Sequence, residues 1–478
     1  MSSIKEQTKK GLYWSAAGNI ANKGIHFTFG IILARLLSPD TYGVLGILGV
    51  FICIISVFID CGFSQALICK QDRKQIDFST EFFFNIAVGI LAYFILFVSA
   101  PFISDFYDMP ILTPVLRVIG IGVIINSLCV VQNAQFAIRL DFSTPAKLSI
   151  STQIFSGVIG IILAYKGYGV WALVFQQVVG GFFNCILLWI LAGWRPTLEF
   201  SRDSFKYLWG YGSKILGASL IQQAYDNLYP LVIGKYFNAS QLGLYSRAMG
   251  FASLPSTNFS GIVGNVSFPI LSKLNNDVPH LINIYRRMIR STAFVVFPMM
   301  LGLSSLASPF VKILLNEQWY GCIIMLQILC IALIWQPLSY IHLSILKVVN
   351  RTDVILKLEV YKRSVGLLSL FGAIPFGVTG MCIAFSLWYL YCFVLNTIYT
   401  SKCLDLSFWH QIQDVLPILL NSIAMGVIMF TIVYILPNIY MQLISGVLVG
   451  LLYYILFSRI FFKSLMQDTV SMFFKNAQ

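Results

Sequence analysis

The feature that most limits what this chain can become is a series of apolar runs, each about a bilayer long, separated by short polar breaks. They place membrane spans at 12–37, 41–69, 81–103, 113–136, 147–165, 169–193 and 212–234. The series continues at 243–271, 288–309, 322–346, 354–375, 377–400, 415–436 and 441–462, fourteen in all. Hydrophobic residues make up 58% and charged ones 11%, where a soluble chain carries about 25% charged residues. At about 20 residues per crossing, that apolar content suffices for roughly fourteen helices and leaves little for a soluble core. The expected fold class is an all-α polytopic membrane protein. A soluble enzyme, a DNA-binding factor and a secreted disulfide scaffold are excluded together.

The net charge of +13 points to a membrane surface and not to nucleic acid, because the 32 Lys and Arg are scattered between apolar runs. With the N-terminal tail cytoplasmic, 25 basic residues fall at the inner face. Only six, Arg35, Arg117, Lys166, Lys235, Arg247 and Lys312, fall outside. Both termini are therefore expected in the cytoplasm, across a bacterial-type inner membrane. Ten cysteines without a CxxC pair and four histidines without ligand spacing predict neither a metal site nor a cofactor. No P-loop and no GxSxG elbow occurs. The first run contains Lys23 and lacks a small-residue cleavage site, so no cleavable signal is expected. No loop reaches the size of a domain.

An internal repeat organises the spans. Ala34-Arg35-Leu36-Leu37-Ser38-Pro39-Asp40-Thr41-Tyr42-Gly43 reads against Gly234-Lys235-Tyr236-Phe237-Asn238-Ala239-Ser240-Gln241-Leu242-Gly243 at an offset of 200. Pro101-Phe102-Ile103 with Pro309-Phe310-Val311, and Gly169-Val170 with Gly377-Val378, recur at an offset of 208. Spans 1 and 7 thus correspond, and six-helix units that enter from the same side are related by an axis along the membrane normal. The expected organisation is a six-helix lobe over 1–200, a second over 201–403 around a central cleft, and two added spans with a tail over 404–478. Pro230, Pro255, Pro298 and Pro337 fall inside spans, where each removes a backbone hydrogen bond and permits either a mobile kink or a static bend.

Ionisable groups inside spans are costly and are functional candidates. Lys23 lies about twelve residues, roughly 18 Å, into span 1. Asn19, Asn22, Lys23 and His26 follow helical spacing, and Gln222, Gln223 and Asp226 occupy the repeat-equivalent stretch of span 7. These residues are the candidate cleft lining, together with Lys214, Arg247 and Arg290 nearer the span ends. Lys23 and Asp226 could equally form a structural ion pair, and the three peripheral cations could snorkel to interfaces. Asp60 and Glu81 are candidates for a coupling cation or for pairing with basic neighbours. The preponderance of cations among these residues favours an anionic substrate.

The phrases "GLYWSAAGNIANKG", "LARLLSPDTYGVLGI", "DCGFSQALI", "PFISDFYDMPILTPVLRVIGI" and "QNAQFAIRLDF" carry a resemblance to a known family. The chain resembles the polysaccharide transporter family of the multidrug/oligosaccharidyl-lipid/polysaccharide exporter superfamily, over most of its length and most densely in the first 200 residues. That resemblance implies a flippase that moves undecaprenyl-pyrophosphate-linked oligosaccharide to the outer leaflet by alternating access. The product would feed O-antigen, capsule or exopolysaccharide assembly, with polysaccharide polymerase machinery as a partner. Two other readings remain: a cation or drug antiporter on the same scaffold, expected to line its cleft with acids, and a polysaccharide polymerase or ligase, expected to present a large outer loop.

Overall fold

A backbone buried in lipid has no water to bond to, so each apolar run must close its own hydrogen bonds as a helix. The computed structural model of the protein is helical in this way, with no β-strand among the described residues. It describes residues 2–60, 62–274 and 276–470, with side chains from residue 18 onward except at 60 and 470. Among the described residues, ten helical stretches are long and apolar enough to cross a membrane. The chain divides into two compact units, Met1–Gly243 and Leu244–Gln478.

The first unit opens with α1 (Ser2–Leu36), α2 (Pro39–Asp60), α3 (Phe63–Cys69) and α4 (Gln75–Tyr107). Three short helices follow, α5 (Leu112–Ile119), α6 (Ile121–Ser127) and α7 (Val130–Ile138), which together make up the one span read from sequence at 113–136. Next come α8 (Ser143–Tyr165), α9 (Val170–Leu191), α10 (Arg202–Asp226) and α11 (Leu228–Tyr236). Helix α1 lies along α8, where a Cβ on Gly157 would sit 2.6 Å from the Phe29 ring, so only glycine permits this approach. Leu33 of α1 and Leu37 just beyond its end continue the seam against Ala164, Ala172 and Leu173. Helix α10 packs Leu208 against Phe63, Ala66 and Leu67. The step between α10 and α11 follows from Pro230, which has no N–H to offer the Asp226 carbonyl.

Helix α12 (Ala239–Ser272) begins in the first unit and continues into the second. Its start crosses the start of α2 with backbone on backbone: a methyl on Gly43 would overlap the Ala239 carbonyl, and one on Gly243 would overlap the Pro39 carbonyl. These are the two glycines aligned by the sequence repeat.

The second unit continues with α13 (Val278–Ser305), α14 (Ala307–Leu314), α15 (Cys322–Leu333), α16 (Gln336–Val348) and α17 (Thr352–Gly372). It closes with α18 (Gly377–Leu404), α19 (Phe408–Ile435), α20 (Ile439–Phe461) and α21 (Lys463–Val470). Two of its prolines are compensated by neighbouring side chains. Pro337 strands the Leu333 carbonyl between α15 and α16, and the Ser256 hydroxyl donates to it at 2.9 Å. Pro298 strands the Phe294 carbonyl inside α13, and the Tyr454 hydroxyl of α20 donates to it at 2.8 Å. Helix α20 turns Ile444, Leu448, Leu451, Leu452 and Ile455 outward, the surface of a lipid-facing helix.

Candidate functional site

Because one face of α1 is committed to α8, its polar residues emerge on the other. Asn19, Lys23 and His26 are exposed, while Asn22 is half-buried with its Oδ1 fully covered. On α10, Lys214, Gln222 and Asp226 are exposed at intervals of eight and four residues, so they share one side of the helix. Gln223 is half-buried. The Asp226 carboxylate accepts both hydrogen bonds that Gln222 Nε2 makes to it, at 2.9 and 2.8 Å, one turn back on the same helix. The first unit thus carries two helices whose exposed faces hold amides, cations and a carboxylate. Such groups are stable on a membrane helix when they face a wet cleft or a polar ligand.

Arg247 is half-buried in the second unit, its guanidinium 5.4 Å from the Trp319 ring centroid and 5.7 Å from that of Phe251. Trp319 is fully buried, so this arginine is held by cation–π contacts on a rigid platform. Arg290 is half-buried on α13. Its neighbours on that helix are tied down: Arg286 makes a two-pronged bridge to Asp414 at 2.6 and 2.9 Å, and Arg287 reaches Asp468 at 2.7 Å.

Glu81 is fully buried on α4 and accepts from Ser64 Oγ at 3.0 Å. The Asp60 side chain lies outside the described residues. Beside Glu81, Asp77 gathers Lys70 Nζ at 2.6 Å, Ser204 Oγ at 2.6 Å and the Lys74 amide at 2.8 Å. Sequence reasoning passed over Asp77, although an acid at the start of an apolar run was a readable signal.

It also passed over a buried polar cluster in the second unit. Tyr285 Oη bonds His342 Nδ1 at 2.8 Å and Gln411 Oε1 at 2.8 Å, and Thr400 Oγ1 lies 3.1 Å from the same Nδ1. Its members come from four helices, and its hydrogen-bonded pairs are 57 to 126 residues apart in the chain, so no local motif announces them. No group of His, Cys, Asp and Glu suited to a metal ion occurs among the described residues.

Residues 32–324, more than half of the chain, match the polysaccharide biosynthesis protein family. The chain is 25% identical over 438 residues to the teichuronic acid biosynthesis protein TuaB of Bacillus subtilis (strain 168), spanning 90% of each protein. It is 24% identical over 447 residues to the lipopolysaccharide biosynthesis protein WzxC of Escherichia coli (strain K12), spanning 89% of each. Among solved structures, the lipid II flippase MurJ in its inward closed conformation superposes with a TM-score of 0.77 at 17% identity, over 95% of this chain and 99% of that one. An inward-facing multidrug resistance transporter of the MATE family, in the MOP superfamily, gives 0.60 at 13% identity, over 82% and 96%. The protein therefore has the fold of these transporters, and the polytopic helical architecture read from sequence is borne out. With the family match over residues 32–324, the chain is a multi-pass membrane protein that belongs to the polysaccharide biosynthesis protein family.

Proposed function

We propose that this protein is a flippase that carries undecaprenyl-pyrophosphate-linked oligosaccharide from the cytoplasmic to the outer leaflet of the inner membrane, by alternating access. The observation that carries this reading is the polar, cation-bearing exposed face of α1 and α10, in a family whose relatives are named for polysaccharide biosynthesis. A pyrophosphate head group brings about two negative charges into a low-dielectric region, where an unpaired ion is very costly. Lys23 and Lys214 supply compensating charge, the amides of Asn19, Gln222 and Gln223 bond sugar hydroxyls, and His26 and Asp226 complete the polar lining. Arg247 and Arg290 serve the outer and inner mouths. The polyprenyl tail stays in lipid.

In this reading α1, α10 with α11, α12 and α17 also cross the bilayer, since each is long enough. Added to the ten apolar stretches they make fourteen spans with both termini cytoplasmic. Lobes over 1–200 and 201–403 move against one another, and 404–478 rides on the second. An antiporter reading is less well supported because the buried acids already have donors: Asp77 takes Lys70 and Ser204, and Glu81 takes Ser64. The deciding experiment deletes the gene and follows lipid-linked sugar intermediates. Accumulation on the inner leaflet is the expected result, relieved by the wild-type gene. Unpolymerised units at the outer leaflet would instead assign the polymerase step to this chain.

A further inference from the structure

The polar cluster at one end of the second unit is not used by that reading. Tyr285 lies eight residues into α13, His342 six from the end of α16, Thr400 four from the end of α18 and Gln411 four into α19, so the four form one layer. His342 has 0% exposure. Donor bookkeeping fixes its tautomer. The amide of Gln411 donates through Nε2 to the Thr397 carbonyl at 3.4 Å, which turns Oε1 toward Tyr285 to receive the phenol's single proton. Thr400 spends its hydroxyl proton on the Asn396 carbonyl at 2.8 Å. Tyr285 and Thr400 can then only accept from His342, so Nδ1 carries the hydrogen and Nε2 holds a bare lone pair. That nitrogen is buried and has no hydrogen-bond partner among the described residues. One turn before Thr400, the fully buried Asn396 likewise has both amide atoms without a partner among the described residues.

A buried acceptor without a donor is costly unless it receives one at some stage of the working cycle. We propose that His342 is a proton-binding site, taking up a proton at Nε2 and releasing it during transport. In the loaded form Nδ1–H keeps its bonds to Tyr285 and Thr400 while Nε2 becomes a second donor, and the proton comes from water. The charged groups that face it are few. Lys362 of α17, 7% exposed and 3.4 Å from Glu359, acts on the imidazole electrostatically. Asp414 of α19, held by Arg286, acts on Tyr285. The neighbouring residues on α18, Thr400 and Asn396, are neutral. Proton uptake places a second cation beside Lys362, so binding at this nitrogen is tied to the spacing of α16 and α17.

The inference names the coupling ion for the proposed flippase and rests on that reading for its role, though not for the chemistry of the site. The test has two arms. In full-length protein with nitrogen-15 histidine, reconstituted in lipid, only four imidazoles give signals, and His342→Asn identifies the relevant one by its loss. The expected spectrum has a protonated Nδ1 and a bare Nε2 at high pH, with Nε2 gaining a proton on acidification. A protonated Nε2 at high pH, or an Nε2 that stays bare throughout acidification of the folded protein, overturns the proposal. In the second arm, His342→Asn retains an amide donor for Tyr285 and Thr400 but cannot bind a proton. Membrane level should match wild type, with export reduced at least tenfold and its pH response lost. Wild-type export with an unchanged pH response in this variant would reduce His342 to a structural donor. If the wild-type gene itself fails to relieve the deletion, the flippase reading falls, and the spectral arm still decides the proton site.

Discussion

At Lys23 and at His342 the same principle, that an ionisable group in a membrane helix needs a reason to be there, has led to different answers. Lys23 is exposed on a helix whose other face is buried, and its place was readable from the spacing of Asn19, Lys23 and His26 alone. Lys23→Ala is expected to lower export more than tenfold at unchanged membrane level, with Lys23→Arg retaining part of it. Quantifying surface polysaccharide against immunoblotted protein checks this, and full export in Lys23→Ala would remove the residue from the mechanism. Gln222 should matter in concert with Asp226, since it holds that carboxylate in place. The His342 cluster was unreadable for a physical reason. Its hydrogen bonds exist only once four helices have packed, and sequence periodicity reports burial without reporting which buried groups meet.

Whole helices were more legible than their interruptions. Apolar length marked nearly every long helix, and Pro230 and Pro337 marked true breaks, whereas Pro255 and Pro298 lie within continuous α12 and α13. The breaks at Gly120 and around Leu128 inside the fourth apolar run carry no proline, so the pattern gave no warning of them. Nor could it reveal that a freed carbonyl is taken by a side chain 160 residues away. Tyr454→Phe strands the Phe294 carbonyl and should cost about 1–3 kcal/mol, measured by reversible unfolding in bicelles. Asp141, in the loop before α8, provides a pH test outside the membrane. Burial works against its charge, but hydrogen bonds from the hydroxyls and amides of Thr144 and Ser143 outweigh it and hold the carboxyl below its usual range. A depressed value in the folded state means the contribution is present above the ordinary carboxylate range and is lost as pH falls through the folded value. Wild type should therefore lose thermal stability on acidification below about pH 4 by more than Asp141→Asn does.

For the molecule as a whole, the charge asymmetry leads to an arrangement that reporters can check directly. Fusions at Asp108 and Asn316 should report outside and fusions at Asp72 and Asp277 inside; an external C-terminal reporter would overturn both the even span count and the parallel repeat. Substituting Gly43 with Ala should destabilise by about 1–3 kcal/mol, because the Ala239 carbonyl already occupies the space a methyl would need. The reciprocal fit of Gly43 and Gly243 has a mechanical consequence. Where two backbones touch with no side chain between them, neither can slide past the other without collision, yet each can still swivel about the point of contact. The beginning of α12 is in that sense a bearing on α2: at this contact the helix can turn but not slip.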